Sequence, residues 1–360
     1  MRRLLCCVLL LLAGSAAQAE DYRVETVAEG LDHPWSLAFL PDGRMLVTER
    51  VGRLRVIGTD GSLSAPVEGV PAVHAESQGG LFDVLPARDF ADSGQIYLSY
   101  ADGPAGANAT ALMRARLEGG ELIASEPLFR AKPAKDTPVH YGGRMCWMAD
   151  GTLLLGMGDG FDFREQAQDP DNHLGTIVRL TADGGVPEDN PFADGGGRPE
   201  VYSYGHRNVQ GLLCDADGVL AHEHGPQGGD ELNRIEAGAN YGWPVVTGGL
   251  DYNNARVTPF DSRPGMLPPL LEWTPSIGPS GLMRYTGDAF GEWQGDLFVA
   301  TLVEPGVRRV RLRGDEVLGQ EVLFEAQGQR IRDVRNGPDG ALYLLTDAAD
   351  GAVLRVLPAR

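Results

Sequence analysis

Pro338-Asp339-Gly340 running into Leu342-Tyr343-Leu344 is a tight turn that feeds an apolar strand, and the chain repeats this pattern. Asp accepts hydrogen bonds from its own backbone two residues on, and Gly enters turn conformations that other residues resist, so the pair marks a strand start. Earlier copies are Pro41-Asp42-Gly43 into Met45-Leu46-Val47, Ser93-Gly94 into Ile96-Tyr97-Leu98, and Asp150-Gly151 into Leu153-Leu154-Leu155. Asp217-Gly218 into Val219-Leu220 and Gly295-Asp296 into Leu297-Phe298-Val299 complete a set of six. The copies stand roughly 45 to 77 residues apart, which suits a four-stranded propeller blade with loops of variable length inserted on one face. The expected fold is all-β, a six-bladed β-propeller over residues 20–360. A strand around Tyr22 to Val27 is expected to pair with the last blade near Val353 to Val356, closing the ring and leaving no free edge.

Composition agrees. The 360 residues include 49 Gly and 24 Pro, and no long stretch carries the i, i+3, i+4 rhythm of an amphipathic helix, so helices should be few and short. The long segment from Asn240 to Pro279 is rich in Pro, Gly, Trp and Tyr and is expected to form loops at the functional mouth. Residues 1–19 read as a cleavable export signal: Arg2 and Arg3, an apolar run from Leu4 to Ala13, and the small-residue site Ala17-Gln18-Ala19. This implies a periplasmic or secreted protein starting near Glu20. No later segment is apolar enough to cross a bilayer, and no lipoprotein-type box suggests a membrane anchor. Cys146 and Cys214 remain after the signal, and either a disulfide or two buried thiols suits them. The formal net charge of −19 argues against a nucleic-acid partner, which would require basic patches. Only Lys132 and Lys135 supply amines, so imine chemistry has almost no candidates.

Several short motifs carry possible chemistry. Glu223-His224-Gly225-Pro226-Gln227-Gly228-Gly229-Asp230-Glu231 places carbonyls and carboxylates in a glycine-rich bend, the hard oxygen donors that Ca²⁺ prefers; a solvated acidic turn is the bland alternative. His140 opens His140-Tyr141-Gly142-Gly143-Arg144 just before a hairpin whose second strand ends at Gly158-Asp159-Gly160. His140 and Asp159 should therefore meet at the mouth, where a carboxylate would orient the imidazole as a general base. Gly205-His206-Arg207-Asn208 follows the strand-like Val201 to Tyr204. Arg207 there suits a carboxylate or a developing oxyanion, although a loop-tying Arg-Asn pair would look the same. Arg330 and Arg332 project on one side of an extended strand, which suggests a bound polyanion or salt bridges to Asp333 or Asp347. Gln78-Gly79-Gly80 is a polar turn before Leu81. Trp35, Trp243 and Trp273 read as core or loop anchors.

In order and spacing, the motifs at His140–Arg144, Gly205–Asn208, Glu223–Pro226, Asn240-Tyr241-Gly242-Trp243-Pro244 and Arg330–Asp333 resemble those of the soluble pyrroloquinoline quinone (PQQ)-dependent aldose sugar dehydrogenases, relatives of soluble glucose dehydrogenase. The likeness runs from about His33 to Pro358. It implies a six-bladed propeller that oxidises aldoses at C1 to aldonolactones by hydride transfer to PQQ. His140 then matches the catalytic base and Asp159 the carboxylate that supports it, while Arg207 stabilises the oxygen as charge develops. Gln78, Arg207, Asn208, Tyr252, Arg330 and Arg332 match positions that hold the quinone. Gly225 and Pro226 match carbonyl donors to Ca²⁺, and Glu231 and Tyr241 match a further calcium position of the shorter bacterial members. One departure stands out: many members carry a cofactor-holding lysine where this chain has Val303, and Arg308 or Arg309 are the nearby cations that could replace it. The chain has no haem-binding Cys-x-x-Cys-His, so electrons must pass to an external acceptor, a small periplasmic carrier or a quinone pool, from a monomer or a homodimer. Two other readings suit a six-bladed scaffold: a calcium-dependent lactonase, and a sugar or protein binder without catalysis.

Overall fold

The computed structural model describes residues 22–359; the export-signal reading at 1–19 lies outside them. Six antiparallel sheets follow one another along the chain, five with four strands and the first with three. The opening strand of each sheet is Pro34–Phe39, Leu81–Pro86, Gly142–Trp147, Val209–Asp215, Pro279–Arg284 and Ile331–Asn336 in turn. Each opening strand contacts that of the next sheet, and the last contacts the first, so the six surround a common axis. This is the expected propeller. Ring closure is also as expected: Tyr22–Leu31 is the outermost strand of the sixth blade and pairs with Gly351–Pro358, Val24 opposite Val356.

All six turn motifs sit at one structural position. Each leads into the second strand of its blade: Met45–Glu49, Gln95–Asp102, Leu153–Met157, Gly218–Glu223, Leu297–Thr301 and Leu342–Thr346. The turns therefore occupy one rim of the ring. The ends of the second strands and the starts of the opening strands occupy the other, which makes that rim the mouth.

Period-two alternation sends successive side chains of a strand to opposite faces, and in a propeller both faces pack on neighbouring blades. Leu153 and Leu155 pack toward the second blade, while Leu154 packs toward the fourth. Leu297 and Val299 face the fourth blade, and Phe298 and Ala300 the sixth. The core is thus a circle of clusters between blades. Cys146 and Cys214, from the opening strands of the third and fourth blades, form a disulfide across one of these seams, settling the choice left open by sequence. Among the described residues helix is confined to the four residues Phe90–Ser93 and three short 3-10 turns. Among the described residues no helix is long and apolar enough to cross a membrane.

The segment from Asn240 to Pro279 is mostly loop, as expected, but it is interrupted by Leu271–Trp273, the outer strand of the fourth blade. It lies largely within that blade, after the strand Asp230–Arg234, and brings Leu250, Tyr252 and Thr274 to the mouth.

Candidate active site

At the mouth, the residues just outside the two inner strands of each blade converge. A cleft of about 1010 Å³ is lined by Arg50, Gln78, Asn208, Gly225, Pro226, Tyr252, Arg330 and Arg332, among others. A second hollow of about 300 Å³ contains His140, Asp159, Phe161, Arg207 and Trp243, and shares Pro226 and Tyr252 with the cleft. The quinone-holding and base residues expected from sequence therefore lie in two adjoining compartments.

His140 precedes the opening strand of the third blade and Asp159 follows its second strand, so hairpin pairing alone brings them together. His140 Nδ1 lies 2.6 Å from Asp159 Oδ1, and both side chains are buried. With Nδ1–H given to the carboxylate, Nε2 is left as the basic nitrogen. Burial lowers the His140 pKa below the usual imidazole value despite the opposing pull of Asp159, so the ring is neutral near pH 7. Burial would raise Asp159, but the hydrogen bond from His140 and the charge of Arg207 outweigh it and hold the carboxyl below its usual range. An anionic carboxylate beside a neutral imidazole is the state a general base requires. His140 takes φ 52°, a conformation uncommon for a non-glycine residue, and its amide is tied to Gln78 Oε1 at 2.8 Å. Gln78 thus anchors the base loop as well as lining the cleft.

Trp243 is more than the loop anchor read from sequence. Its indole Nε1 donates to Asp159 Oδ2 at 2.7 Å, completing a Trp243–Asp159–His140 chain. Nothing local announces this bond, because the partners are 84 residues apart.

Arg207 is buried and has no ion pair with a carboxylate among the described residues. Its guanidinium donates to the carbonyls of His224 at 3.1 Å and Gly225 at 2.8 Å, and to the Tyr252 hydroxyl at 3.2 Å. A buried cation held by neutral acceptors retains most of its positive potential for a ligand. Asn208 lends its side-chain oxygen to the Gly142 amide, 3.1 Å away, fixing the start of the third blade. Arg330 and Arg332 both reach Asp347, at 2.6 and 3.3 Å, so they share one side and one carboxylate; Asp333 instead pairs with Arg144 and Arg335. Val303 lines the cleft and is 67% exposed. Arg308 and Arg309 do not replace the missing lysine: they pair with Glu304 and with Asp296 and Glu321 on the flank of the fifth blade.

The cleft suits a flat polyanion. Among its lining residues three arginines face one carboxylate, Asp347, in a strongly acidic protein, and Trp35, Phe82 and Tyr141 supply apolar wall. For a calcium ion the fit is conditional. Gly225 and Pro226 offer neutral carbonyls, one of which already accepts from Arg207, and among the described residues no three His, Cys, Asp or Glu side chains form a metal-holding group. A cation there would need oxygens from an anionic ligand to complete its six to eight donors.

Glu231 and Tyr241 lie outside both compartments. Burial, then the charge of Glu223, pushes the Glu231 carboxyl up, and Asn233 Nδ2 bridges Glu231 and Glu223. The Tyr241 hydroxyl donates to the Arg234 carbonyl at 2.6 Å and accepts from the Glu236 amide at 2.8 Å, while its ring stacks on His206. The Tyr241 hydroxyl is thus engaged both as donor and as acceptor within the protein.

Known proteins share this fold. The profile of the glucose/sorbosone dehydrogenase family matches residues 31–355. The aldose sugar dehydrogenase YliI of Escherichia coli K12 is 42% identical over 344 residues, covering 93% of this chain and 92% of that protein. The apo-form crystal structure of the soluble aldose sugar dehydrogenase from Escherichia coli has a TM-score of 0.90 at 41% identity, covering 94% of this chain and all of that one. The PQQ-bound form of aldose sugar dehydrogenase from Streptomyces coelicolor has a TM-score of 0.77 at 29% identity, over 93% and 98% of the two chains. With the His140–Asp159 pair, the cationic cleft and the blade order described, the chain is an oxidoreductase that belongs to the glucose/sorbosone dehydrogenase family.

Proposed function

We propose that this protein oxidises aldose sugars at C1 to aldonolactones, with PQQ in the large cleft and the sugar in the adjoining hollow. The observation that carries this reading is a neutral, carboxylate-held imidazole in a hollow that opens onto a guanidinium-lined cleft. When bound, PQQ supplies the carbonyl that accepts the hydride, and Ca²⁺ supplies Lewis-acid charge beside it. His140 Nε2 takes the proton from the C1 hydroxyl. Asp159, fixed by Trp243, orients the ring and stabilises the imidazolium that forms. Arg207, already desolvated, stabilises oxygen as negative charge develops. Gln78, Asn208, Tyr252, Arg330 and Arg332 hold the quinone. The carbonyls of Gly225 and Pro226 would hold the calcium, and Glu231 with Tyr241 would form a further calcium position. Electrons then leave to an external acceptor, a periplasmic carrier or quinone, from a monomer or homodimer in the periplasm or outside the cell.

Reconstitution of the purified protein with PQQ and Ca²⁺, followed by dye bleaching across a panel of aldoses, tests this directly. Bleaching that requires both sugar and quinone is expected. Hydrolysis of a sugar lactone without quinone, and no aldose-dependent bleaching with it, would replace this reading by a lactonase.

A further inference from the structure

Arg50 directly follows the second strand of the first blade, the place that His224 and Asp347 hold at the mouth in the fourth and sixth. Its backbone is clamped on both sides: its amide donates to the His33 carbonyl at 3.0 Å and its carbonyl accepts from Leu81 at 3.0 Å. At Gly80 the chain passes so close that a Cβ would lie 1.9 Å from the Arg50 oxygen, at φ +144°. Arg50 is therefore carried on rigid backbone at the seam between the first two blades.

Its side chain lines the cleft, and its guanidinium donates to the Ser77 carbonyl. Among the described residues no carboxylate lies within ion-pair distance of it, whereas Arg330 and Arg332 in the same cleft share Asp347. In a chain with 50 acidic and 31 basic residues, a cleft arginine without a carboxylate has its charge available to a ligand. Across the ring, the fifth blade presents the apolar Val303.

We propose that Arg50 is a ligand-anchoring residue that binds a carboxylate of the planar polycarboxylate quinone, on the side of the cleft away from Arg207. This rests on the PQQ reading. Three sectors of the mouth then carry cations: Arg50 at the first seam, Arg207 between the third and fourth blades, and Arg330 with Arg332 in the sixth.

The test is equilibrium titration of the cofactor-free protein with PQQ and Ca²⁺, followed by quenching of tryptophan fluorescence, which needs no turnover. Arg50→Met should weaken uptake by about 10- to 100-fold, the range for a charge-assisted hydrogen bond. Arg50→Lys should recover part of it. Arg50→Gln, which can still donate to the Ser77 carbonyl, should be nearly as weak as the Met variant, and raised salt should narrow the gap between wild type and either neutral variant. Wild-type affinity in the Gln variant would reduce Arg50 to a loop support, and wild-type affinity in the Met variant would exclude it altogether. If the wild-type protein itself takes up no PQQ, the functional reading fails first and this inference falls with it.

Discussion

One oxygen of Asp159 faces His140 and the other faces Trp243, so the imidazole is held by a carboxylate that is itself held. His140→Ala removes the proposed proton acceptor and should lower kcat by about 10²- to 10⁴-fold, with PQQ uptake nearly unchanged. Unimpaired turnover would take His140 out of the mechanism. Trp243→Phe keeps an aromatic side chain, though a smaller one, and deletes one hydrogen bond to a charged group, a loss of about 1.5–3 kcal/mol where it is fully felt. The expected result is a fall in kcat of about tenfold or more with the sugar KM little altered, read from steady-state dye reduction. His140 and Asp159 were legible in the sequence because they flank a single hairpin, and local pairing suffices to join them. Trp243 and Arg50 were not, because their partners come from other blades. A further clue existed for Arg50: it occupies the same place after a turn-led strand as His224 and Asp347, a regularity that becomes meaningful once the mouth is located.

At the scale of elements, the second strands also fasten the blades to one another. The Thr48 hydroxyl donates to the Phe82 carbonyl at 2.6 Å and the Ser99 hydroxyl to that of Gly143 at 2.5 Å, each reaching the opening strand of the next blade. His222 makes the same reach to Gly281 at 3.3 Å. The Cys146–Cys214 bond adds a covalent link between the opening strands of the third and fourth blades, across a sequence separation of 68. Replacing both cysteines by alanine should lower unfolding free energy by about 2–4 kcal/mol, measured by denaturant titration; an unchanged midpoint would show that noncovalent packing suffices at that seam. The turn-and-strand phrase made the blade count readable because it recurs at one place in each unit. The pairing of the cysteines was unreadable, since two strand residues in adjacent blades can equally pack as thiols. The outer strand Leu271–Trp273 was hidden inside a Pro- and Gly-rich loop because three residues are too few to show alternation.

For the whole molecule, burial within a continuous circle of cores has an acid cost. His140, His173 and His222 are all held below the usual imidazole pKa of 6.5, first by burial, and His222 is pushed down to about 3. As pH falls below 6.5 the unfolded chain binds protons at these rings that the folded chain does not. Their contribution to stability is therefore full above pH 6.5 and is lost progressively toward pH 3. Glu231, raised by burial and neighbouring carboxylates, acts in the opposite sense at the acidic end. Melting temperatures measured from pH 7.5 down to 4 should decline steadily below 6.5, and a flat profile would contradict neutral buried imidazoles. The closing pair of strands has another outcome. Tyr22 lies opposite Pro358, so the first and last described strands are neighbours at the outer side of one blade. The polypeptide is in effect a necklace whose clasp happens to sit there. Joined by a short linker and reopened at the exposed Gly119-Gly120 hairpin tip, a circularly permuted version should assemble the same propeller, with catalysis indifferent to where translation starts.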